Sequence, residues 1–224
     1  MIINMDNTTI FKYVDHTLLA ANAAREDISR ICDEAVRYGM ASACIPPAYV
    51  GPAKERFPTL NVCTVIGFPL GYSATAAKLA EIEDALKAGC DEFDMVINLT
   101  WAANGEFDKI TAEIAALKKA VGPKILKVIV ETCYLTQEAK IALCQCVTDG
   151  GADYIKTSTG FGTAGATLED IRLFKAHIGP NVKIKAAGGV RTQKDMEAFI
   201  EAGCARIGTS GAIKALAGGT VQGY

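Results

Sequence analysis

Eight short apolar runs, alternating with stretches of helical periodicity, constrain this chain more than any other feature of its sequence. The runs are Val14 to Leu19, Ala41 to Ile45, Val62 to Gly67, Glu92 to Asn98, Ile125 to Glu131, Tyr154 to Ser158, Lys183 to Ala187 and Arg206 to Thr209. Between them lie Arg25 to Tyr38, Ala74 to Ala88, Glu106 to Val121, Gln137 to Asp149, Leu168 to His177 and Gln193 to Ala202. The last sets Met196, Phe199 and Ile200 at i, i+3 and i+4, on one helical face. Strands joined by helical crossovers pair in parallel. Eight such units in 224 residues predict an α/β fold, a single (β/α)8 TIM barrel over residues 1–224. A doubly wound open sheet is the alternative, but it usually carries fewer strands. Thr8 to Val14 reads as a short extra N-terminal helical turn over the bottom of the barrel. Gly51 to Pro58 holds two prolines in a short crossover, which argues against a helix there.

An internal echo supports this architecture. Lys87-Ala88-Gly89-Cys90-Asp91, Asp149-Gly150-Gly151-Ala152-Asp153 and Glu201-Ala202-Gly203-Cys204-Ala205 share one plan. A helix ends, a glycine supplies a left-handed cap, and the next strand begins. Any βα protein uses glycine this way, so the echo bears on fold and not on chemistry.

Barrel strands are buried on both faces and should read as nearly unbroken apolar runs. Four adjacent strands here carry charges instead: Asp94, Lys127, Lys156 and Lys185. An unpaired buried ammonium costs several kcal/mol, so fold stability alone does not call for them. On neighbouring strands of one barrel they can converge on a central pocket. A purely structural ion network is the competing reading, as is an outward-pointing Lys127 or Lys183 whose amine reaches solvent. Lys183 and Lys185 share a face by period-two alternation, and Lys185 lies nearer the C-terminal strand ends where barrel active sites are built.

Clustered lysines suit carbonyl chemistry. A lysine attacks a carbonyl only as the neutral amine, so its pKa, about 10.4 when unperturbed, must fall. Desolvation and a neighbouring ammonium both act in that direction. Lys156 and Lys185 fit the roles of nucleophile and neighbour, and Asp94 with water can move protons between carbinolamine, imine and enamine. Such chemistry calls for no cofactor. The chain has two histidines and no H-E-x-x-H, no paired-histidine metal set and no G-x-G-x-x-G after a strand, so no metal is expected.

The last strands end in small residues: Ser158-Thr159-Gly160-Phe161-Gly162, Ala187-Gly188-Gly189-Val190-Arg191 and Gly208-Thr209-Ser210-Gly211. Backbone amides in such loops can approach an anion, and barrel phosphate sites often follow strands seven and eight. Tight βα turns alone would also use these glycines; beside a lysine cluster they point to phosphate. Arg191 could add a charge or remain solvated.

Bulk properties narrow the partners. The net charge is -2 and the basic residues are scattered, so no nucleic-acid or anionic-membrane footprint is expected. No apolar run approaches the roughly 18 residues of a membrane span. The N-terminus lacks the basic and apolar regions of a signal peptide. Eight cysteines lie mostly in apolar contexts, Cys144-x-Cys146 lacks the partners of a zinc site, and a chain this long needs no disulfide staples. Reduced, mostly buried thiols in a cytoplasmic protein are expected.

Tyr154-Ile155-Lys156-Thr157-Ser158-Thr159-Gly160 and Lys183-Ile184-Lys185-Ala186-Ala187-Gly188-Gly189-Val190-Arg191-Thr192 resemble the deoxyribose-phosphate aldolase family. So do Asp15-His16-Thr17-Leu18-Leu19, Glu92 to Asn98 and Leu126 to Thr132. The resemblance runs from about residue 10 to the C-terminus. It implies a (β/α)8 barrel and a metal-free, cofactor-free class I aldol mechanism. The reaction implied is reversible cleavage of 2-deoxy-D-ribose 5-phosphate to D-glyceraldehyde 3-phosphate and acetaldehyde, in deoxyribose phosphate catabolism. It implies Lys156 as Schiff-base lysine, Asp94 as proton donor and acceptor, and Lys185 as the second lysine. It places Gly160, Gly188, Gly189, Gly208, Ser210 and Gly211 at the phosphate. Asp15, Lys127 and Cys44 become candidate relay or pocket residues, with a small core role equally open for Cys44. Some members carry a lysine where this chain has Phe161, and some end in a tyrosine relay, a position matched by Tyr224. A homo-oligomer, dimer or tetramer, is implied as well. Burial and spacing leave the nucleophile open between Lys156 and Lys185; the family motif favours Lys156. The alternative function is a sugar-phosphate isomerase or epimerase, with Glu131 as a possible base, which leaves the strand lysines unexplained.

Overall fold

The computed structural model describes residues 5–219. Eight strands close into a barrel in chain order: β1 (Val14–Thr17), β2 (Ser42–Cys44), β3 (Val62–Ile66), β4 (Glu92–Val96), β5 (Ile125–Ile129), β6 (Tyr154–Lys156), β7 (Lys183–Ala187) and β8 (Arg206–Thr209). All neighbours are parallel, and β1 closes the ring against β8. The helices are α1 (Asn7–Phe11), α2 (Arg25–Arg37), α3 (Val50–Arg56), α4 (Thr75–Lys87), α5 (Leu99–Ala103), α6 (Phe107–Val121), α7 (Gln137–Asp149), α8 (Leu168–His177), α9 (Gln193–Ala202) and α10 (Ala212–Leu216). The predicted eight-unit barrel is therefore the observed fold.

α1 immediately precedes β1, buries Ile10 and Phe11, and so sits at the strands' N-terminal end as the sequence predicts. α3 corrects the expectation for the second crossover. Pro52 occupies the first turn of α3, after a 3₁₀ turn over Pro47–Tyr49. First-turn amides have no intrahelical acceptor, so proline removes nothing there. Pro58 lies beyond the capping residue Phe57, where a helix has already stopped. The short helices α5 and α10 carry too few residues for a periodic signal. The echoed glycines cap as predicted: Gly89, Gly151 and Gly203 all have positive φ.

Period-two alternation sorts the strand residues into two sets. Phe93, Met95, Leu126, Val128, Ile155, Ile184 and Ala186 join helix residues such as Ile82, Ile114, Leu143, Ile171 and Phe199 in the main apolar core. That core lies between the sheet and the helices. The alternate residues enter the barrel, where branched aliphatics commonly fill the layers. Here only Leu19, Cys44, Cys63 and Val65 form a separate apolar cluster, and charged side chains occupy much of the rest. Register sets their heights: Asp94 pairs with Lys127, and Lys156 with Lys185.

A second buried ion pair ties the shell to the barrel. Lys78 of α4 donates to Glu113 of α6 and to the Val96 carbonyl at the end of β4, each at 2.8 Å. Both side chains are at most 1% exposed. Lys78→Met would strand Glu113 without its cation, so it is expected to lower unfolding free energy by about 3–5 kcal/mol in urea titrations. Adding Glu113→Leu should recover much of that loss.

Candidate active site

The charged interior converges on Asp94. Its Oδ1 accepts from Lys127 Nζ at 2.8 Å and from Cys63 Sγ at 3.2 Å. Its Oδ2 accepts from Lys156 Nζ and Lys185 Nζ, both at 2.7 Å. One carboxylate oxygen thus holds two ammonium groups. Lys185 also meets Asp15 Oδ2 at 2.6 Å, and Lys127 meets Glu92 Oε2 at 2.6 Å. Arg206 closes the lower layer, reaching Asp15 Oδ1 at 2.6 Å and both oxygens of Glu92 at 2.9 and 3.0 Å. Ser42 Oγ donates to Asp15 Oδ1.

These contacts set the protonation states. Burial opposes ionisation of Asp94, but Lys127, Lys156 and Lys185 outweigh it and hold the carboxyl well below its ordinary value. Asp15 is likewise lowered, by Lys185, Lys127 and Arg206 against burial. Burial opposes charge on Lys185, and Asp15 and Asp94 override it, so its pKa is raised. Burial is also overridden at Lys127, chiefly by Asp94. Among the direct ion pairs, Asp15, Glu92 and Asp94 therefore balance Lys127, Lys185 and Arg206. Lys156 is a further cation of this interior, and its one direct carboxylate partner is Asp94.

Above this network a cleft of about 430 Å³ opens at the C-terminal ends of the strands. Its floor and walls come from Thr17 of β1, Lys156, Thr159 and Gly160 of β6 and its loop, Ala187 at the end of β7 with Gly188 to Val190 after it, and Gly208 and Thr209 of β8 with Ser210 after it. Lys156 is the one ionisable side chain among them. Gly188 and Gly189 have φ of 76° and 74°, a region costly for side-chain-bearing residues. Gly165 packs against Gly188 so closely that a Cβ there would lie 2.3 Å from the Gly188 carbonyl. The wall around the cleft is thus bare backbone, which leaves its amides open to an anion.

A family model described as DeoC/LacD family aldolase matches residues 9–218. The chain belongs to that family. It is 60% identical over 221 residues to a deoxyribose-phosphate aldolase of Clostridium botulinum strain Alaska E43, covering 98% of this chain and all of the relative. The solved structure of an aldolase named QR15 superposes with a TM-score of 0.89 at 35% identity, covering 93% of this chain and 95% of that one. A deoxyribose phosphate aldolase from Aeropyrum pernix, described as a unique tetramer, superposes at 0.86 with 30% identity and coverages of 95% and 91%.

The structure of this aldolase brings Lys156, Asp94, Lys185, Asp15 and Lys127 into one cluster. Lys127 points inward, against the option that its amine reaches solvent; Lys183 is the exposed one, at the start of β7, over the Tyr154 ring. Gly160, Gly188, Gly189, Gly208 and Ser210 line the cleft. Gly211 follows Ser210, and its N–H donates to Thr209 Oγ1 at 3.2 Å. Arg191 is exposed and does not line the cleft. Cys44 is buried in the interior apolar cluster and is not a cleft residue. Phe161 stands edge-on to Phe68, with ring centroids 5.3 Å apart. Tyr224 lies outside the described residues. Sequence reasoning missed Glu92, Arg206, Thr17 and Cys63. Glu92 could have been found two residues before Asp94, on the same face of β4.

All eight cysteines are free. Among the described residues, Cys44, Cys63 and Asp94 place ligand-type atoms within 4.8 Å of one another. A cation there would displace Lys127 from Asp94 and Cys63, and Lys156 and Lys185 stand beside it, so the surroundings disfavour a metal.

Asp15 and Asp94 titrate lower in the folded chain than the ordinary 3.8. Their stabilisation is complete above that value and is lost as pH falls through it toward the folded values. Urea midpoints of the parent should therefore drop steeply below about pH 4, and Asp94→Asn should flatten that drop.

Proposed function

We propose that this chain is a class I aldolase that reversibly cleaves 2-deoxy-D-ribose 5-phosphate to D-glyceraldehyde 3-phosphate and acetaldehyde. Lys156 is its nucleophile. The observation that carries the assignment is the sharing of Asp94 Oδ2 by Lys156 and Lys185. Lys185 has two carboxylate partners and no exposure, whereas Lys156 has one and faces the cleft. Lys156 is thus the amine that a substrate in the cleft can reach.

The reaction follows from these positions. Neutral Lys156 attacks the aldehyde carbon of the open-chain sugar phosphate. Asp94 takes up the proton that Lys156 sheds and, through water, returns it to the departing hydroxyl, which leaves as water as the carbinolamine becomes an iminium. The iminium draws electrons from the C2–C3 bond as the C3 hydroxyl loses its proton, which releases D-glyceraldehyde 3-phosphate and leaves an enamine. Protonation of the enamine at C2 and hydrolysis of the resulting imine release acetaldehyde and restore the amine. Lys185 stays cationic and favours the ionised form of Asp94 between proton transfers. Asp15 and Lys127 hold Lys185 and Asp94 in place. Gly160, Gly188, Gly189, Gly208 and Ser210 offer the phosphate a backbone cradle; Phe161 adds no cation there. Single-domain organisation, cytoplasmic location, a dimeric or tetrameric state and a place in deoxyribose phosphate catabolism belong to the same proposal. Eight unpaired thiols support a reducing compartment, and the tetramer described for the Aeropyrum relative supports association. No helix among the described residues is long and apolar enough to cross a membrane. An isomerase built on Glu131 is disfavoured, because that carboxyl accepts from Thr159 and does not line the cleft.

Borohydride with acetaldehyde is expected to add a reduced two-carbon adduct to the Lys156 peptide; an unmodified peptide would falsify the mechanism. Lys156→Arg should lower kcat by at least about 10³-fold while circular dichroism stays unchanged. Activity should persist in excess chelator, the outcome that separates this reading from a metal-dependent aldolase.

A further inference from the structure

One buried carboxyl beside the site takes no part in the chemistry above. Glu131 follows β5 and is 2% exposed. It is the one non-glycine residue with positive φ among the described residues, at 55°. That conformation costs a glutamate free energy and persists only where the surroundings enforce it. The turn it makes interrupts β5 while pairing with β6 continues on both sides: Val130 N–H donates to the Lys156 carbonyl and Thr132 N–H to the Thr157 carbonyl. The carboxyl is thereby carried across to the segment that follows Lys156.

There it grips a single residue. Thr159 N–H lies 3.2 Å from each carboxyl oxygen, and Thr159 Oγ1 donates to Oε2. Thr159 Oγ1 in turn accepts from Phe161 N–H at 3.0 Å. Gly162 is shaped to this packing, since a Cβ there would lie 2.8 Å from Cys133 Sγ and 3.1 Å from Glu131 Oε1. Thr159 and Gly160 line the cleft, while Glu131 stands behind them. The carboxyl is therefore placed to fix the loop's shape without meeting a ligand.

We propose that Glu131 is a positioning residue for phosphate recognition: by clamping Thr159 from behind, it holds the Thr159–Gly160 turn in the one conformation that completes the backbone cradle. This deepens the aldolase reading and rests on it. The bond-breaking groups Lys156, Asp94 and Lys185 sit lower in the barrel and share no hydrogen bond with Glu131, which the Lys156 charge reaches only through space. A loosened turn should therefore weaken the grip on the phosphate and spare the chemistry.

The test compares cleavage of 2-deoxyribose 5-phosphate with cleavage of unphosphorylated 2-deoxyribose, in the parent and in Glu131→Gln, Thr159→Val and Thr159→Ser. Glu131→Gln and Thr159→Val are each expected to raise KM for the phosphorylated sugar roughly thirty-fold, the effect of one charge-assisted hydrogen bond. In Glu131→Gln, kcat should change less than about three-fold, and kcat/KM on 2-deoxyribose and the rate of borohydride trapping with acetaldehyde should hold within the same margin. Thr159→Ser keeps the hydroxyl and should restore most of the phosphate preference. Thermal stabilisation by inorganic phosphate, read on the same proteins, should shrink in parallel. Equal losses on both sugars, an effect on kcat alone, or an unchanged phosphate preference would overturn the proposal. A variant that does not fold leaves the decision to the other side of the clamp, where Thr159→Val and Thr159→Ser must still differ. A parent that shows no acetaldehyde adduct and no preference for the phosphorylated sugar refutes the aldolase reading itself, and this inference with it.

Discussion

The shared oxygen of Asp94 is the interaction on which the rest of this barrel depends. Two ammonium groups within hydrogen-bonding distance of one carboxylate oxygen repel each other strongly in a buried setting, and only the carboxylate keeps them together. Remove it and Lys156 loses its one direct carboxylate partner, while Lys185 and Lys127 must rely on Asp15 and Glu92. The register of β4, β5, β6 and β7 brings the four side chains to compatible heights, so strand pairing and charge pairing specify the same closure. Asp15 of β1, Glu92 of β4 and Arg206 of β8 extend the pairing, while Lys156 has Asp94 as its one direct carboxylate partner.

Such an interior is costly, and the outer shell offsets it. Buried ion pairs gain little net stability over apolar packing, so the stabilising area must come from elsewhere. It comes from the layer between sheet and helices, where alternate strand residues meet the apolar faces of α2, α4, α6, α7, α8 and α9. The two layers divide the work cleanly because a strand sends successive side chains to opposite faces. The helices can be packed for stability while the inner face is reserved for charge. The cleft end follows the same division: its walls are backbone and small residues, and the side chains that fix their shape, Glu131 among them, stand behind the surface that a ligand meets.

Much of this was legible in the residue order. Alternating periodicities announced the eight units, and Asp94, Lys127, Lys156 and Lys185 stood out because charges break a pattern that burial normally keeps apolar. Glycines at the helix ends read correctly because their role is local. The errors were positional. Pro52 argued against α3 until its place in the first turn was known. Glu92 and Arg206 passed unnoticed because a charge at the first position of a strand ordinarily marks the edge of a run, and their pairing lies 114 residues apart in the chain.

The sequence by itself determined the class of fold, the strands that carry charge and the kind of chemistry those charges permit, because each is a consequence of local pattern and side-chain type. The tertiary structure alone decided which lysine faces the cleft. Lys156 and Lys185 have the same side chain, neighbouring strands and a common oxygen; only the closed barrel shows that Asp15 completes the pairing of one, while the other opens on the cleft with no second carboxylate.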